Sequence, residues 1–251
     1  QCPAWTTGKP LSPKMLIMDL RDHMFAKGPY LTGQRGPEDG VDILGMMLVG
    51  DRPGQEDAVI DYDVLWSCTT CGACVEECPV DIQHVDTIVD LRRYKAMMES
   101  SFPPEAGAML RNLENSGDPW GVGQAKREEW TQALDFEIPV ARPGTPLADD
   151  VEYLFWVGCA GAVDDRSKRI TQSTARLLND AGVKFAILGS GETCTGDPAR
   201  RLGMEYLFQA MAQQNVETLK SVGADKRKIV AWCPHCFNTI RNEYPDFDGH
   251  F

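Results

Sequence analysis

Residues 68–79 read Cys68-Thr69-Thr70-Cys71-Gly72-Ala73-Cys74-Val75-Glu76-Glu77-Cys78-Pro79. This is the C-x2-C-x2-C-x3-C-P spacing of cubane [4Fe–4S] sites, in which three thiolates reach three corners of one small cube. Gly72 tolerates the backbone angles that wrapping the cube requires, and Pro79 disfavours helix at Cys78, which turns that sulfur away from the others. Paired zinc units lack the third cysteine and the Cys-Pro, and disulfides this close would be strained. The spacing therefore predicts iron–sulfur ligation.

The fourth ligand of this cube is predicted to lie elsewhere in the chain. In two-cluster ferredoxins the fourth cysteine of each run binds the other cluster, so Cys78 is assigned to a second cubane whose other ligands lie upstream. The chain opens with Gln1-Cys2-Pro3, which looks like the end of another such run and lacks an initiator methionine. We therefore expect part of a longer polypeptide. The first cubane is assigned to Cys2, Cys68, Cys71 and Cys74.

Four further cysteines follow predicted strands in the second part of the chain. Short apolar runs predict strands at 152–157, 184–188 and 228–232, and the helices between them indicate a parallel α/β sheet. Ligands of such sheets lie beyond the carboxyl ends of the strands. Cysteines at those ends should therefore meet at one sheet edge, where we predict a metal centre, with structural zinc as the alternative to iron–sulfur. These residues are Cys159, Cys194, Cys233 and Cys236.

The remaining pattern predicts an α+β chain with two domains. Apolar spacing and cap residues predict helices at 14–27, 84–98, 104–113, 125–134, 166–180, 197–221 and 235–242. The first helix should be capped by Ser12 and stopped by Gly28; residues 29–57 look like loop, and no convincing strand precedes residue 150. Three prolines and a glycine at 136–146 indicate a linker or an extended strap. We expect a mostly α-helical domain at 1–135, a linker at 136–150 and an α/β domain at 151–251.

The charge balance excludes some classes of partner. The 251 residues carry a net charge of −12, which argues against nucleic-acid binding, since that needs a basic footprint. The excess of acidic residues falls within residues 1–150, where it could bind a basic redox partner or simply keep the surface solvated. No run of eighteen apolar residues is present, so no membrane span is predicted within these residues.

The second cysteine group carries a family resemblance. The pattern Cys159…Cys194-Thr195-Gly196…Cys233-Pro234-His235-Cys236 resembles the cysteine-rich CCG domain of heterodisulfide-reductase-related iron–sulfur oxidoreductases. The resemblance implies a two-cluster ferredoxin-like domain at 1–135 and a first, truncated copy of the CCG domain at 151–251. Thr195 stands where the family has a second cysteine, so the centre is expected to be a non-cubane cluster, a cubane or a degenerate site. His235 either donates a hydrogen bond to a cluster sulfur or only starts a helix.

The resemblance also implies a function. Residues 192–203 and 233–239 are most similar to the membrane-associated branch that oxidises electron-transfer flavoprotein and reduces menaquinone. Electrons would enter from that or another flavoprotein and pass through [4Fe–4S] clusters, with haem and the quinone site in a membrane part absent here, at the cytoplasmic face of the membrane. No catalytic residue is assigned. The alternatives are disulfide reduction at the Cys159 centre, the iron–sulfur subunit of a glycolate, lactate or glycerol-3-phosphate dehydrogenase, and a zinc-stabilised interaction protein, which the Cys68 run disfavours.

Overall fold

The structure is a computed structural model that describes residues 2–55 and 57–251. The chain forms two compact units. Unit 1 comprises the residues up to Pro103 together with Arg201–Gly203, and unit 2 comprises Pro104–Arg200 and Met204–Phe251. Residues 104–150, which the sequence placed in the first domain and the linker, are therefore grouped with the α/β part. The predicted α+β fold class is confirmed.

Unit 1 is mostly helical. Its helices are α1 Pro3–Thr6, α2 Pro13–Leu31, α3 Val41–Gly45, α4 Tyr62–Trp66, α5 Ala73–Glu76 and α6 His84–Arg93, the last continuing into a π-helical turn at Tyr94–Met98. A small apolar core of residues from α1, α2, α4 and α6 packs against the partly buried side chains of Cys2 and Cys68. The core therefore brings together two cysteines that lie far apart in the sequence.

Two features of unit 1 correct the sequence predictions. A parallel pair of short strands, β1 Met47–Val49 and β2 Ala58–Ile60, occupies a region that was expected to be strand-free. Three-residue strands are too short to show an alternating pattern, and glycine, proline and aspartate surround them. Helix α2 begins as expected, with Ser12 accepting from the Met15 N–H at 3.4 Å. It passes Gly28 and ends at Leu31 because a proline in the last turn removes only one hydrogen bond.

Unit 2 contains the predicted parallel sheet. Its strands are β3 Tyr153–Trp156, β4 Phe185–Ala186 and β5 Lys228–Ala231, in the order β4-β3-β5. The sheet positions the helices α7 Pro104–Ser116, α8 Gly158–Val163, α9 Asp165–Asp180, α10 Asp197–Arg201, α11 Glu205–Ser221 and α12 Pro234–Asn238. Its core includes edge-to-face contacts of Phe155 with Trp130 and with Phe185.

The proline-rich segment is an extended strap within unit 2. Val140 pairs in parallel with Ile187, the residue that follows β4. The Ala141 N–H donates to the Ile187 carbonyl at 2.7 Å, and the Ile187 N–H donates to the Pro139 carbonyl at 3.0 Å. Of the two interpretations open from the sequence, the structure shows the strap. Its backbone extends the sheet beyond β4.

Two predicted helices of unit 2 differ in the structure. Residues 125–134 form two short 3-10 turns, Gln124–Lys126 and Glu129–Ala133, rather than one helix. The predicted helix 197–221 is divided into α10 and α11. Gly203 lies at the break with φ +85°, in the left-handed region that interrupts a helix. No helix among residues 2–55 and 57–251 is long and apolar enough to cross a bilayer.

Substitution of Gly203 should strongly destabilise unit 1. A Cβ there would lie 2.4 Å from the carbonyl carbon of Arg92, in addition to the cost of a positive φ. We expect Gly203→Ala to lower the free energy of unfolding by about 3 kcal/mol or more, measured by denaturant titration. Gly182 is the matched control, because its φ is +69° and a Cβ there meets no atom within 4 Å. Gly182→Ala should cost only about 1 kcal/mol. Equal losses would contradict the steric argument.

Candidate metal centres

The cysteines of unit 1 lie on three short elements. Cys2 precedes α1 as its N-cap, Cys68 and Cys71 lie in the loop between α4 and α5, and Cys74 lies in α5. Thr70 and Gly72 have φ of +54° and +77°, and these left-handed residues turn the loop around the space between the sulfurs. The described chain has no disulfide at these positions, and every one of these residues is a free thiol.

The electrostatics identify which of these thiols are neighbours. Burial raises the pKa of Cys68, and the thiols of Cys2 and Cys71 raise it further, while the Thr70 N–H donates to its Sγ at 3.3 Å and opposes the shift. Burial also raises the pKa of Cys74, with contributions from Cys68, Cys71 and Cys2. Cys2, Cys68, Cys71 and Cys74 therefore form one group, the set assigned to the first cubane. The Cys78 Sγ accepts a separate hydrogen bond, from the Ile82 N–H at 3.4 Å.

A cavity of about 760 Å³ lies beside this group in unit 1. Cys2 and Cys74 line it on one side, and Cys78 and Pro79 also contribute to its wall. His84, which the sequence suggested was a surface or packing residue, is buried at its edge, and its Nδ1 has no hydrogen-bond partner. The sulfur of Cys78 thus faces a space large enough for a further group, which fits its assignment to a second cluster.

Arg92 is a buried cation beside the first group, although the sequence suggested a surface residue. Its guanidinium donates to the carbonyls of Leu65 and Cys68, both at 2.8 Å, and to that of Arg201 at 2.9 Å. It also lies over the Trp66 ring, 5.1 Å from the centroid. Burial lowers the pKa of Arg92, and the nearby Cys68 opposes this shift. A fixed positive charge therefore stands next to a proposed cluster ligand.

The cysteines of unit 2 lie at the carboxyl ends of the strands, as the topology predicted. Cys159 is in α8 after β3, Cys194 is in the loop after β4, Cys233 follows β5 and caps α12, and Cys236 is within α12. Cys159, Cys194 and Cys236 are buried, and Cys233 is partly exposed. Gly158 has φ +75°, and a Cβ there would lie 3.3 Å from the Cys236 Sγ, so glycine lets the β3 loop approach α12.

These four thiols form two hydrogen-bonded pairs. The Cys194 thiol donates to Cys159 and, with the Arg127 charge, lowers the pKa of Cys159; the pKa of Cys194 is raised well above its usual value. The Cys236 thiol donates to Cys233, and with backbone N–H groups it lowers the pKa of Cys233 to about 6. The pKa of Cys236 is raised well above the usual value, first by its bond to Cys233 and by burial, and also by Cys159. All four sulfurs therefore share one site.

A buried ion pair supports the Cys159 loop, and the sequence did not indicate it. Arg127 Nη1 lies 3.6 Å from the Cys159 Sγ, and Nη2 lies 2.5 Å from Glu192 Oε1. The Glu192 carboxylate also accepts from the N–H groups of Val157 at 2.9 Å and Gly158 at 2.7 Å. Burial alone would lower the pKa of Arg127, but Glu192 and Cys159 outweigh it and raise that pKa. The pair joins the loops that carry Cys159 and Cys194.

Thr195 and His235 occupy different environments. Thr195 is buried, and its carbonyl accepts from the Tyr244 hydroxyl at 3.0 Å. Asn215 Nδ2 donates to the Cys194 carbonyl at 2.8 Å and to the Tyr244 hydroxyl at 3.1 Å, so both side chains hold the loop. His235 is 63% exposed, with its Nδ1 3.2 Å from an Asp197 carboxylate oxygen. The supporting roles beside the ligands that are expected for Gly72, Pro79, Thr195 and His235 stay predictions.

Removal of the Tyr244 hydroxyl tests this support. Tyr244→Phe leaves the Thr195 carbonyl without this donor in a buried site, so we expect a loss of about 1–3 kcal/mol in the free energy of unfolding. Tyr206 is the control because it is 81% exposed. Tyr206→Phe should leave the denaturation midpoint unchanged. An unaltered midpoint in both variants would show that the network contributes no net stability.

The donor sets fit clusters rather than single ions. Within the described ranges 2–55 and 57–251, no three side chains of histidine, cysteine, aspartate or glutamate are placed to hold one metal ion. A cubane spreads its thiolate ligands over separate iron corners, so its ligands need not converge on a point. All-cysteine ligation together with backbone N–H donors to sulfur is the environment that such clusters use.

Two family models match the chain. A 4Fe-4S dicluster domain matches residues 1–82, and a cysteine-rich domain, CCG, matches residues 153–241. The chain belongs to the heterodisulfide-reductase-related iron–sulfur oxidoreductases that combine these two domains, which confirms the resemblance seen in the sequence. The dicluster match accords with ligands for two clusters around Cys68 and Cys78.

The chain is similar to three curated relatives. It is 41% identical to the probable iron-sulfur-binding oxidoreductase FadF of Bacillus subtilis, over 98% of this chain and 37% of the relative. It is 40% identical to the EtfAB:quinone oxidoreductase of Syntrophomonas wolfei, over 100% and 36%. It is 26% identical to one subunit of the dihydromethanophenazine:CoB--CoM heterodisulfide reductase of Methanosarcina barkeri, over 99% and 56%. The chain thus spans little more than a third of the first two. No solved structure matches it.

Proposed function

We propose that this chain is the iron–sulfur part of a flavoprotein:quinone oxidoreductase, which carries electrons from reduced electron-transfer flavoprotein toward menaquinone. The observation that supports it best is the presence of two separate cysteine groups, each gathered by its own unit. The 40% identity to a relative named EtfAB:quinone oxidoreductase favours this donor and acceptor class. The proposal places the chain at the cytoplasmic face of the membrane, with haem and quinone sites in a membrane part outside this sequence.

We assign the ligands of the clusters as the sequence predicted. Cys2, Cys68, Cys71 and Cys74 hold one cubane, and Cys78 contributes to a second, next to the cavity that it lines. Cys159, Cys194, Cys233 and Cys236 hold a further centre. When bound, [4Fe–4S] clusters take up and release electrons at potentials set by hydrogen bonds, charge and exposure.

The chain's own residues orient the ligands and limit access of water. The N–H groups of Thr70 and Ile82 donate to the sulfurs of Cys68 and Cys78. Such donors offset negative charge at a ligand sulfur and fix its direction. In unit 2, the burial of Cys159, Cys194 and Cys236 keeps bulk water from that site. Together these features favour electron transfer through fixed sites over chemistry on a bound substrate.

A second function has support from the hydrogen-bonded thiol pairs in unit 2. A relative at 26% identity is named as part of a heterodisulfide reductase, so reduction of a disulfide substrate at the Cys159 centre is the alternative. The partial exposure of Cys233 would give a substrate access to one sulfur. The missing second cysteine at Thr195 weighs against it. Service to a glycolate, lactate or glycerol-3-phosphate dehydrogenase would differ only in the donor.

The experiment that separates these functions uses the anaerobically purified chain with its clusters intact. Iron, sulfide and zinc are measured first, and electron paramagnetic resonance identifies the clusters. Reduced electron-transfer flavoprotein is then mixed with the oxidised chain, and cluster absorbance is followed in a stopped-flow instrument. We expect bleaching that depends on the flavoprotein. Bleaching only with a hydroxy-acid dehydrogenase, activity only with a disulfide, or zinc without iron would each overturn the proposal.

A further inference from the structure

We propose that Arg127 raises the reduction potential of the centre held by the unit 2 cysteines, and that Glu192 sets how much of its charge acts there. The inference rests on the proposed function, because it needs an iron–sulfur centre at Cys159, Cys194, Cys233 and Cys236. Arg127 acts through the ligand Cys159 and is therefore a positioning residue for charge rather than a catalytic residue.

The geometry places a cation against one ligand sulfur. Arg127 follows the turn Gln124–Lys126, and its side chain is 1% exposed. Its Nη1 lies 3.6 Å from the Cys159 Sγ, within reach of an N–H···S hydrogen bond. Water cannot screen a charge in this position, so its field acts on the site at full strength. A fixed positive charge favours the more negative, reduced state of the centre.

Glu192 offsets this charge only in part. Its side chain is also 1% exposed, and it faces the other guanidinium nitrogen, Nη2, rather than the one at the sulfur. Its two oxygens also accept from the N–H groups of Val157 and Gly158. Two backbone dipoles therefore share the carboxylate with the arginine. The sulfur is thus in contact with the positive member of the pair and is separated from the negative one.

The competing explanation is that the pair only clamps the loops of Cys159 and Cys194 together. The two explanations predict different results for replacement of each partner. Loss of either partner from a mere clamp would loosen the site in the same way and release iron. Loss of charge from an electrostatic pair moves the potential in opposite directions, because one partner is a cation and the other an anion.

The test is a redox titration of the full chain with clusters loaded, followed by electron paramagnetic resonance. We expect Arg127→Gln to lower the ratio of reduced to oxidised unit 2 centre at fixed potential at least tenfold, which corresponds to about 59 mV for one electron. Glu192→Gln should raise that ratio, and Arg127→Lys, which keeps the charge, should change it less than Arg127→Gln. The signal of the unit 1 cubane should not move in any variant.

Arg142→Gln is the matched control in the same unit, because Arg142 pairs with Glu128 at 2.9 Å but its side chain is 53% exposed. It should leave both potentials unchanged. Shifts of the same sign in Arg127→Gln and Glu192→Gln, or loss of iron in all three variants at this pair, would overturn the inference while the proposed function stands. Absence of any centre in unit 2 of the loaded native chain would overturn the ligand assignment, and this inference with it.

Discussion

Replacement of Cys74 by alanine is expected to remove the first cubane of unit 1. Cys74 shares the site with Cys2, Cys68 and Cys71, and each supplies one corner ligand. Changes outside the ligand shell already cost about 10–100-fold in metal affinity, so loss of a ligand should cost more. The chain should lose about four irons and the corresponding resonance signal. Iron analysis and spectroscopy on anaerobically reconstituted protein measure both.

Two companion variants make this prediction specific. Thr69→Ala changes an exposed residue of the same loop and should keep the full iron content. Cys78→Ala should leave the signal of the first cubane in place, because Cys78 is assigned to the other cluster. A loss of that first signal in Cys78→Ala, with retention in Cys2→Ala, would reverse the assignment and make residues 68–78 a complete four-cysteine site.

Replacement of Arg92 by methionine is expected to destabilise unit 1 and to lower the potential of its cubane. The substitution removes a charged donor from three carbonyls, including that of Cys68, and leaves buried acceptors unsatisfied. Hydrogen bonds to charged groups contribute about 1.5–3 kcal/mol each, so the free energy of unfolding should fall by about 3 kcal/mol or more. Denaturant titration gives the stability, and a redox titration gives the potential.

Arg93 provides the control for Arg92 on the same helix. Its side chain pairs with Asp90 at 2.7 Å near the surface, where an ion pair contributes about 1 kcal/mol or less. Arg93→Met should therefore cost little and leave the cubane potential unchanged. A similar loss of stability in both variants would show that the contacts of Arg92 with the cysteine loop have no special weight.

The cysteine groups could be predicted because their signals are local. The spacing of residues 68–79 specifies the wrap directly, and strand ends in a parallel sheet specify where Cys159 and Cys194 meet. The supporting residues could not, because their partners are distant in the chain. Arg127 is 65 residues from Glu192 and 32 residues from Cys159. An arginine on a helical pattern, such as Arg92, looks the same in sequence whether it faces solvent or three carbonyls.

The fold was predictable for long, strongly patterned elements and less so for short ones. The paired strands β1 and β2 have three residues each, too few for any period to emerge. A lone glycine in a helical pattern indicates only a lowered helix preference, so the break at Gly203 was visible only through its positive φ. Proline-rich composition did not separate a linker from a strap, because backbone hydrogen bonding to Ile187 makes the difference.

The strap also has a consequence for self-association. An open β4 edge would present unpaired N–H and C=O groups to another chain, which is how sheets template aggregation. Residues 139–141 occupy that edge, and Pro139 and Pro143 lack the N–H that a further strand would need. The segment therefore ends the sheet on this side with a backbone that is a poor template. Proteolytic nicking within it should expose the β4 edge and let copies of the unit associate edge to edge.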